Sequence, residues 1–120
     1  MGSKIFRDLI VWQKAHQFAV EVYRYTSALQ GKETYVLVPQ MRRAAISIPA
    51  NIAEGFKKKT APDKARFLNI AQGSLEESRY YLILAKDLGY GDTSDLMAQL
   101  EETSKLLESY LSKIKSDRSR

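Results

Sequence analysis

The chain has 120 residues, no cysteine, a single histidine and a net charge of +5. That length suits one domain, residues 1-120, with one hydrophobic core, and the missing cysteines exclude a disulfide framework and thiolate metal sites. No apolar run approaches the roughly 18 residues of a membrane span and no secretory leader stands out, so the expected location is the cytoplasm.

Apolar spacing predicts a first helix over about 9-29, with Asp8 placed to cap it and Gly31 to end it. Its seam reads Trp12, Ala15, Ala19, Val22, Thr26, Leu29 in steps of three and four. Val11, Phe18 and Tyr25 form a second stripe, expected to flank the bundle core or to touch another subunit. Thr34 to Val38 favours strand by composition but has no second strand to pair with, so it reads as a connector.

The second helix, about 36-57, contains the stretch on which the chain centres, QMRRAAISIPANIAEGFKKK from Gln40 to Lys59. Met41, Ala44, Ala45, Ile48, Ile52 and Phe56 line one face. Gln40, Arg43, Ser47, Asn51 and Glu54 line another. Serine and asparagine lower helix propensity, so their recurrence predicts a partly buried polar seam, satisfied within the chain or across subunits. Arg43 is expected to find a carboxylate on another helix. Pro49 removes one intrahelical hydrogen bond, yet both rows stay in phase across it, which predicts a kink at Pro49 rather than two helices.

Thr60, Pro62 and Asp63 form a helix start for a third helix, about 62-88, closed by Gly89 and Gly91. Its seam reads Phe67, Ala71, Ser74, Ser78, Tyr81, Ala85 and Leu88, with Leu68, Leu75 and Leu82 alongside. Small residues in its first half, Ala71, Gly73, Ser74 and Ser78, permit close approach of the alanine-rich second helix. Thr93 or Ser94 caps a fourth helix, about 94-115, whose seam is Leu96, Leu100, Thr103, Leu107, Tyr110 and Ile114. Residues 116-120 read as a polar, frayed end. Four amphipathic helices joined by short turns predict an all-α, up-down-up-down antiparallel four-helix bundle.

Chemistry is harder to find. His16 has no second imidazole to pair with, so no Glu-x-x-His pair of a di-iron bundle can form. There is no phosphate-binding glycine loop and no nucleophile elbow. No catalytic residue, metal site or cofactor is expected. The basic run is the functional lead: Arg42 on the face away from the apolar row, Arg43, then Lys57, Lys58, Lys59, Lys64 and Arg66. Residues 31-60 carry six Lys or Arg against Glu33 and Glu54, whereas residues 61-90 balance four against four. Such a patch suits phosphate contact rather than base readout, and a solvated lysine loop is the bland alternative. Tyr80 and Tyr81 are candidate stacking surfaces, Tyr81 being also a seam residue.

Three segments, FRDLIVWQKA, QMRRAAISIPANIAEGF and RFLNIAQGSLEES, resemble the four-helix-bundle family encoded in intervening sequences of bacterial 23S ribosomal RNA genes. The likeness runs from Phe6 to about Leu107. The family motif falls on Arg43, Ser47, Asn51, Glu54, Gly55, Gly73 and Ser74, none of them an established catalytic residue. Where members often carry an aromatic-proline pair before the second helix, this chain has Leu29, Gln30 and Gly31. The resemblance implies a small bacterial cytoplasmic bundle forming homopentamers. More distantly, the chain is similar to the accessory variability proteins of diversity-generating retroelements, pentamers that bind nucleic acid and a reverse transcriptase. The expected function is therefore a non-enzymatic homo-oligomer binding RNA or DNA backbone through its basic surface. The alternative is a protein-interaction module accessory to a nucleic-acid enzyme such as a reverse transcriptase.

Overall fold

The computed structural model describes residues 2–29, 31 and 36–118. A 3-10 turn, Phe6–Asp8, precedes four helices: α1 Ile10–Ser27, α2 Leu37–Lys57, α3 Ala61–Asp87 and α4 Ser94–Arg118. Among the described residues there is no strand. Each helix packs on its two neighbours around a square, α1 on α2, α2 on α3, α3 on α4 and α4 on α1, with no diagonal contact. The result is an antiparallel four-helix bundle of 52 × 22 × 20 Å.

The core follows from helical spacing. Phe18, Val22, Ile48, Ile52, Leu68, Leu75, Leu82, Leu100 and Leu107 are all essentially inaccessible and form its axis. Of the two expectations for the second stripe, flank of the bundle core or subunit contact, the first holds: Val11 and Phe18 are core residues, with Tyr25 packed against the same cluster. The reason is geometric: α1 sits at a corner of the square and presents a wide arc to both α2 and α4. On α3 the seam ends at Ala85, and Leu88 points to solvent.

Several helix ends differ from the sequence expectation. Asp8 does not cap α1. Its carboxylate accepts from the backbone N–H groups of Lys4 and Ile5, at 3.0 and 3.2 Å, closing the 3-10 turn from behind, and Leu9 is the residue that enters α1. α1 stops at Ser27, so Gly31, with its positive φ of 80°, belongs to the connector rather than to the cap. The hydroxyls of Thr26 and Ser27 fold back onto the carbonyls of Val22 and Tyr23 at 2.8 Å. Of the expected connector, Thr34 and Tyr35 lie outside the described residues, while Leu37 and Val38 already open α2. α2 passes through Pro49 without a break.

Two ends match local chemistry closely. The Thr60 hydroxyl accepts from the Asp63 N–H with Pro62 in the first turn of α3. At its other end, Gly89 takes φ +80°, its N–H reaches the Lys86 carbonyl and the Tyr90 N–H reaches that of Ala85, which is a Schellman closure. α4 then starts behind Asp92, whose carboxylate accepts from the Ser94 N–H at 2.9 Å. That bond holds the Asp92 carboxyl below its ordinary range. Thr93, an expected cap, gives its carbonyl to Met97 while its hydroxyl turns to the Leu82 carbonyl of α3.

α2 and α3 make the closest pairing. A Cβ built on Gly55 would lie 3.2 Å from the Cβ of Phe67 and 3.3 Å from the Lys64 carbonyl oxygen, so the backbones meet there because a side chain is missing. Gly73, in contrast, has nothing within 4 Å of its would-be Cβ. The two glycines should therefore respond in opposite directions. Gly55→Val is expected to lower stability by about 1–3 kcal/mol through overpacking. Gly73→Ala is expected to raise it by about 0.5–1 kcal/mol through helix propensity. Urea unfolding of the two variants beside the parent checks both signs.

Candidate functional site

The antiparallel arrangement gathers the start of α1, the end of α2, the start of α3 and the end of α4 at one end of the bundle. These segments carry Lys4 and Arg7 before α1, Lys57, Lys58 and Lys59 after α2, Lys64 and Arg66 in α3, and Lys113 and Lys115 in α4. Set against them are Asp8, Glu54, Asp63 and Asp117. The opposite end mixes Arg24, Arg43 and Lys86 with Glu21, Asp87, Asp92 and Asp95. The molecule is thus polarised along its long axis.

Within the cationic end the side chains have separate jobs. Lys64 donates to the Phe56 carbonyl at 2.7 Å, closing the C-terminal end of α2, and partial burial lowers its pKa. Lys58 and Arg66 both set their charged heads 4.8 Å from the ring centroid of Phe67. Lys57, Lys59 and Arg66 are exposed, and among the described residues no carboxylate lies within ion-pair distance of Lys57, Lys58, Lys59 or Arg66. Tyr80 is not part of this end: it lies fourteen positions along α3 from Arg66, about 21 Å of helical rise. Its ring leans instead on the half-buried Tyr81.

The arginine pair takes no part in the cationic end. Arg42 does not point away from the fold, as the sequence pattern implied, but reaches across to α1. Its Nε donates to the Thr26 hydroxyl at 2.8 Å, its Nη2 to the Ser27 hydroxyl at 3.2 Å, and its guanidinium lies 4.4 Å from the Tyr23 ring centroid. Among the described residues Arg43 finds no carboxylate on another helix; it donates to the Gln40 side chain at 2.6 Å on its own helix. Both sit at the other end of α2 from the lysine turn. Arg42→Ala is expected to lower stability by about 1–2 kcal/mol, since it removes the hydrogen bonds to the Thr26 and Ser27 hydroxyls and to the Tyr23 carbonyl and a cation–π contact that tie α1 to α2. Thermal melting checks this.

The polar row divides in two. Glu54 is exposed, and Gln40 serves Arg43. Ser47 and Asn51 turn toward α3, where the buried Ser74 hydroxyl donates to the Ser47 hydroxyl at 2.7 Å. The Asn51 amide donates to the Ser47 hydroxyl and carbonyl, at 3.0 and 2.8 Å. The seam is satisfied inside the chain. Ser74→Ala should cost about 1 kcal/mol. In a double-mutant cycle with Ser47→Ala the two costs should fall short of additive by about 0.5 kcal/mol or more.

A second surface was not legible in the sequence. Between α1 and α2 runs an open apolar groove of about 630 Å³, with Ala19 and Pro49 at its floor and Trp12, Val20, Tyr23, Ile46, Ala50 and Ala53 around it. Trp12 stacks on His16 with rings 5.0 Å apart and 4° from parallel, and Phe6 meets Trp12 edge-on at 5.1 Å. Across the bundle, α3 exposes Ile70, Tyr80 and Ile83 beside the bare backbone of Gly73.

Residues 7–109 match the family model described as 23S rRNA-intervening sequence protein. The chain belongs to that family. A solved structure of a protein of unknown function from the S23 ribosomal protein family of Bacteroides thetaiotaomicron VPI-5482 superposes with a TM-score of 0.79 at 29% identity, covering 86% of this chain and 99% of that one. No curated protein matches significantly. The match to the 23S rRNA-intervening sequence family spans the Ser47–Asn51–Ser74 network, the Gly55 contact and the lysine turn alike. Among the described residues, no helix is long and apolar enough to cross a membrane, and no group of His, Asp and Glu is placed to hold a metal ion.

Proposed function

We propose that the chain is a cytoplasmic, non-enzymatic, self-associating bundle that contacts RNA or DNA backbone through its cationic end. The observation that carries the reading is the group of exposed Lys57, Lys59 and Arg66 with the half-buried Lys58, with no carboxylate at ion-pair distance among the described residues, at the one end where four helix termini pool positive charge. Exposed cations of this kind raise the local concentration of phosphate and release counterions on contact. The non-enzymatic part is supported by the polar cluster: Ser47, Asn51 and Ser74 are occupied with one another in holding α2 to α3. A gel shift at low salt should show RNA or DNA retarded, with affinity falling steeply toward moderate ionic strength. Lys57→Glu/Lys58→Glu/Lys59→Glu should lose the shift while melting like the parent. No shift at low salt would contradict the reading.

Self-association rests on a different observation, the pairing of an open groove on α1 and α2 with an apolar stripe on α3 across the bundle. Two unlike surfaces on one chain favour head-to-tail contact between copies over a two-fold dimer. A mid-helix glycine with open space above it, Gly73, admits a neighbour close to the α3 backbone. The subunit number that the family resemblance implies is five. Ala50→Trp, which fills the groove, and Tyr80→Glu, which charges the stripe, should each give a monomer by light scattering. Mixed together they should give a dimer, because each retains the surface that the other lacks. Monomers that stay monomeric on mixing would point to the alternative, a groove reserved for another protein such as a reverse transcriptase.

A further inference from the structure

The cationic end has a second wall, formed by the last turns of α4. Between these and the first turns of α3 lies a cleft of about 630 Å³ lined by Pro62, Ala65, Arg66, Asn69, Ile70 and Lys115. Among the described residues, no carboxylate lines it. Its polar side chains are a guanidinium, an amide and an ammonium, all able to donate to an anion. Asn69 is exposed in a helix interior, where asparagine is a poor helix former, and its amide makes no hydrogen bond among the described residues. Arg66 is oriented by its stacking on Phe67.

We infer that this cleft holds a nucleic-acid phosphodiester, with Arg66, Asn69 and Lys115 donating to its oxygens and the apolar edge of Pro62, Ala65 and Ile70 against the adjoining sugar. The inference rests on the nucleic-acid reading above and narrows it to recognition of the backbone alone. Bases have no platform in the cleft itself: its lining holds no aromatic ring, the nearby ring of Phe67 is covered by Lys58 and Arg66, and the exposed Tyr80 is far along α3. Lys115 thereby joins a site from whose lysine turn it is far removed in the linear sequence.

Fluorescence anisotropy with a labelled duplex, titrated over a salt series, tests it. Lys115→Gln is expected to reduce the slope of log affinity against log salt by about one, the loss of one phosphate contact. Asn69→Ala changes no charge, so a diffuse electrostatic field would leave it unaffected; the cleft predicts a several-fold weaker complex at fixed salt. Duplexes of equal length and different sequence should bind alike, and a marked preference among them would overturn the backbone-only reading. Parent-like affinity and slope in both variants, with binding still lost in the triple lysine reversal, would overturn the cleft and leave the wider reading standing. Failure of the parent to bind at low salt would remove both.

Discussion

At Gly55 the backbone of α2 comes within side-chain distance of α3, and the geometry of the rest of the bundle follows from that approach. Two helices this close leave little room for large side chains between them. Ala44, Ala45, Ala71, Ser74 and Ser78 supply small ones, and Ile48, Ile52, Leu68 and Leu75 fill the flanking core. Ser47, Asn51 and Ser74 then satisfy one another inside the contact, which spares these three an unpaired-burial penalty of about 1–3 kcal/mol, whereas the buried Ser78 hydroxyl has no partner among the described residues. A hydrogen-bonded patch within an apolar seam also fixes register, because sliding one helix along the other would separate the two serines.

That seam has a consequence for charge. With α2 and α3 held close, their connection shrinks to three residues, Lys58 to Thr60, of which Lys58 lies over the Phe67 ring and Lys59 stays exposed. Lys64 is drawn in to close α2, while Lys57, Lys59 and Arg66 are left in solvent. A cluster of ion pairs forms elsewhere, where Arg79 of α3 meets Glu101 of α4 and Glu76 of its own helix. Those partners raise the Arg79 pKa and lower that of Glu101, in keeping with a latch between α3 and α4.

What could be read from sequence was local or periodic. Thr60, Pro62 and Gly89 act through neighbours one to four residues away, and the spacing of Ile48, Ile52, Leu68, Leu75 and Leu82 needs only the helical repeat. Asp8 was misread because a short carboxylate between two turns can serve either, and the direction of the chain before Phe6 decides which. Arg42 defies the sequence pattern because its reach to Thr26 and Ser27 depends on where α1 ends, about two residues earlier than the apolar pattern suggests. The stripe of Val11 and Phe18 was read as surplus when a corner helix needs two packed faces. Lys113 and Lys115 went unnoticed, although antiparallel topology alone places the end of α4 beside the start of α3.

Native-state hydrogen exchange on α2 and α3 tests the seam most directly. If close packing at Gly55 and the Ser47–Asn51–Ser74 network hold the bundle together, the amides of Ile48, Ile52, Ala71 and Leu75 should exchange only with global unfolding and share one free energy. Exchange of those amides through a cheaper opening, with α1 and α4 still protected, would contradict it.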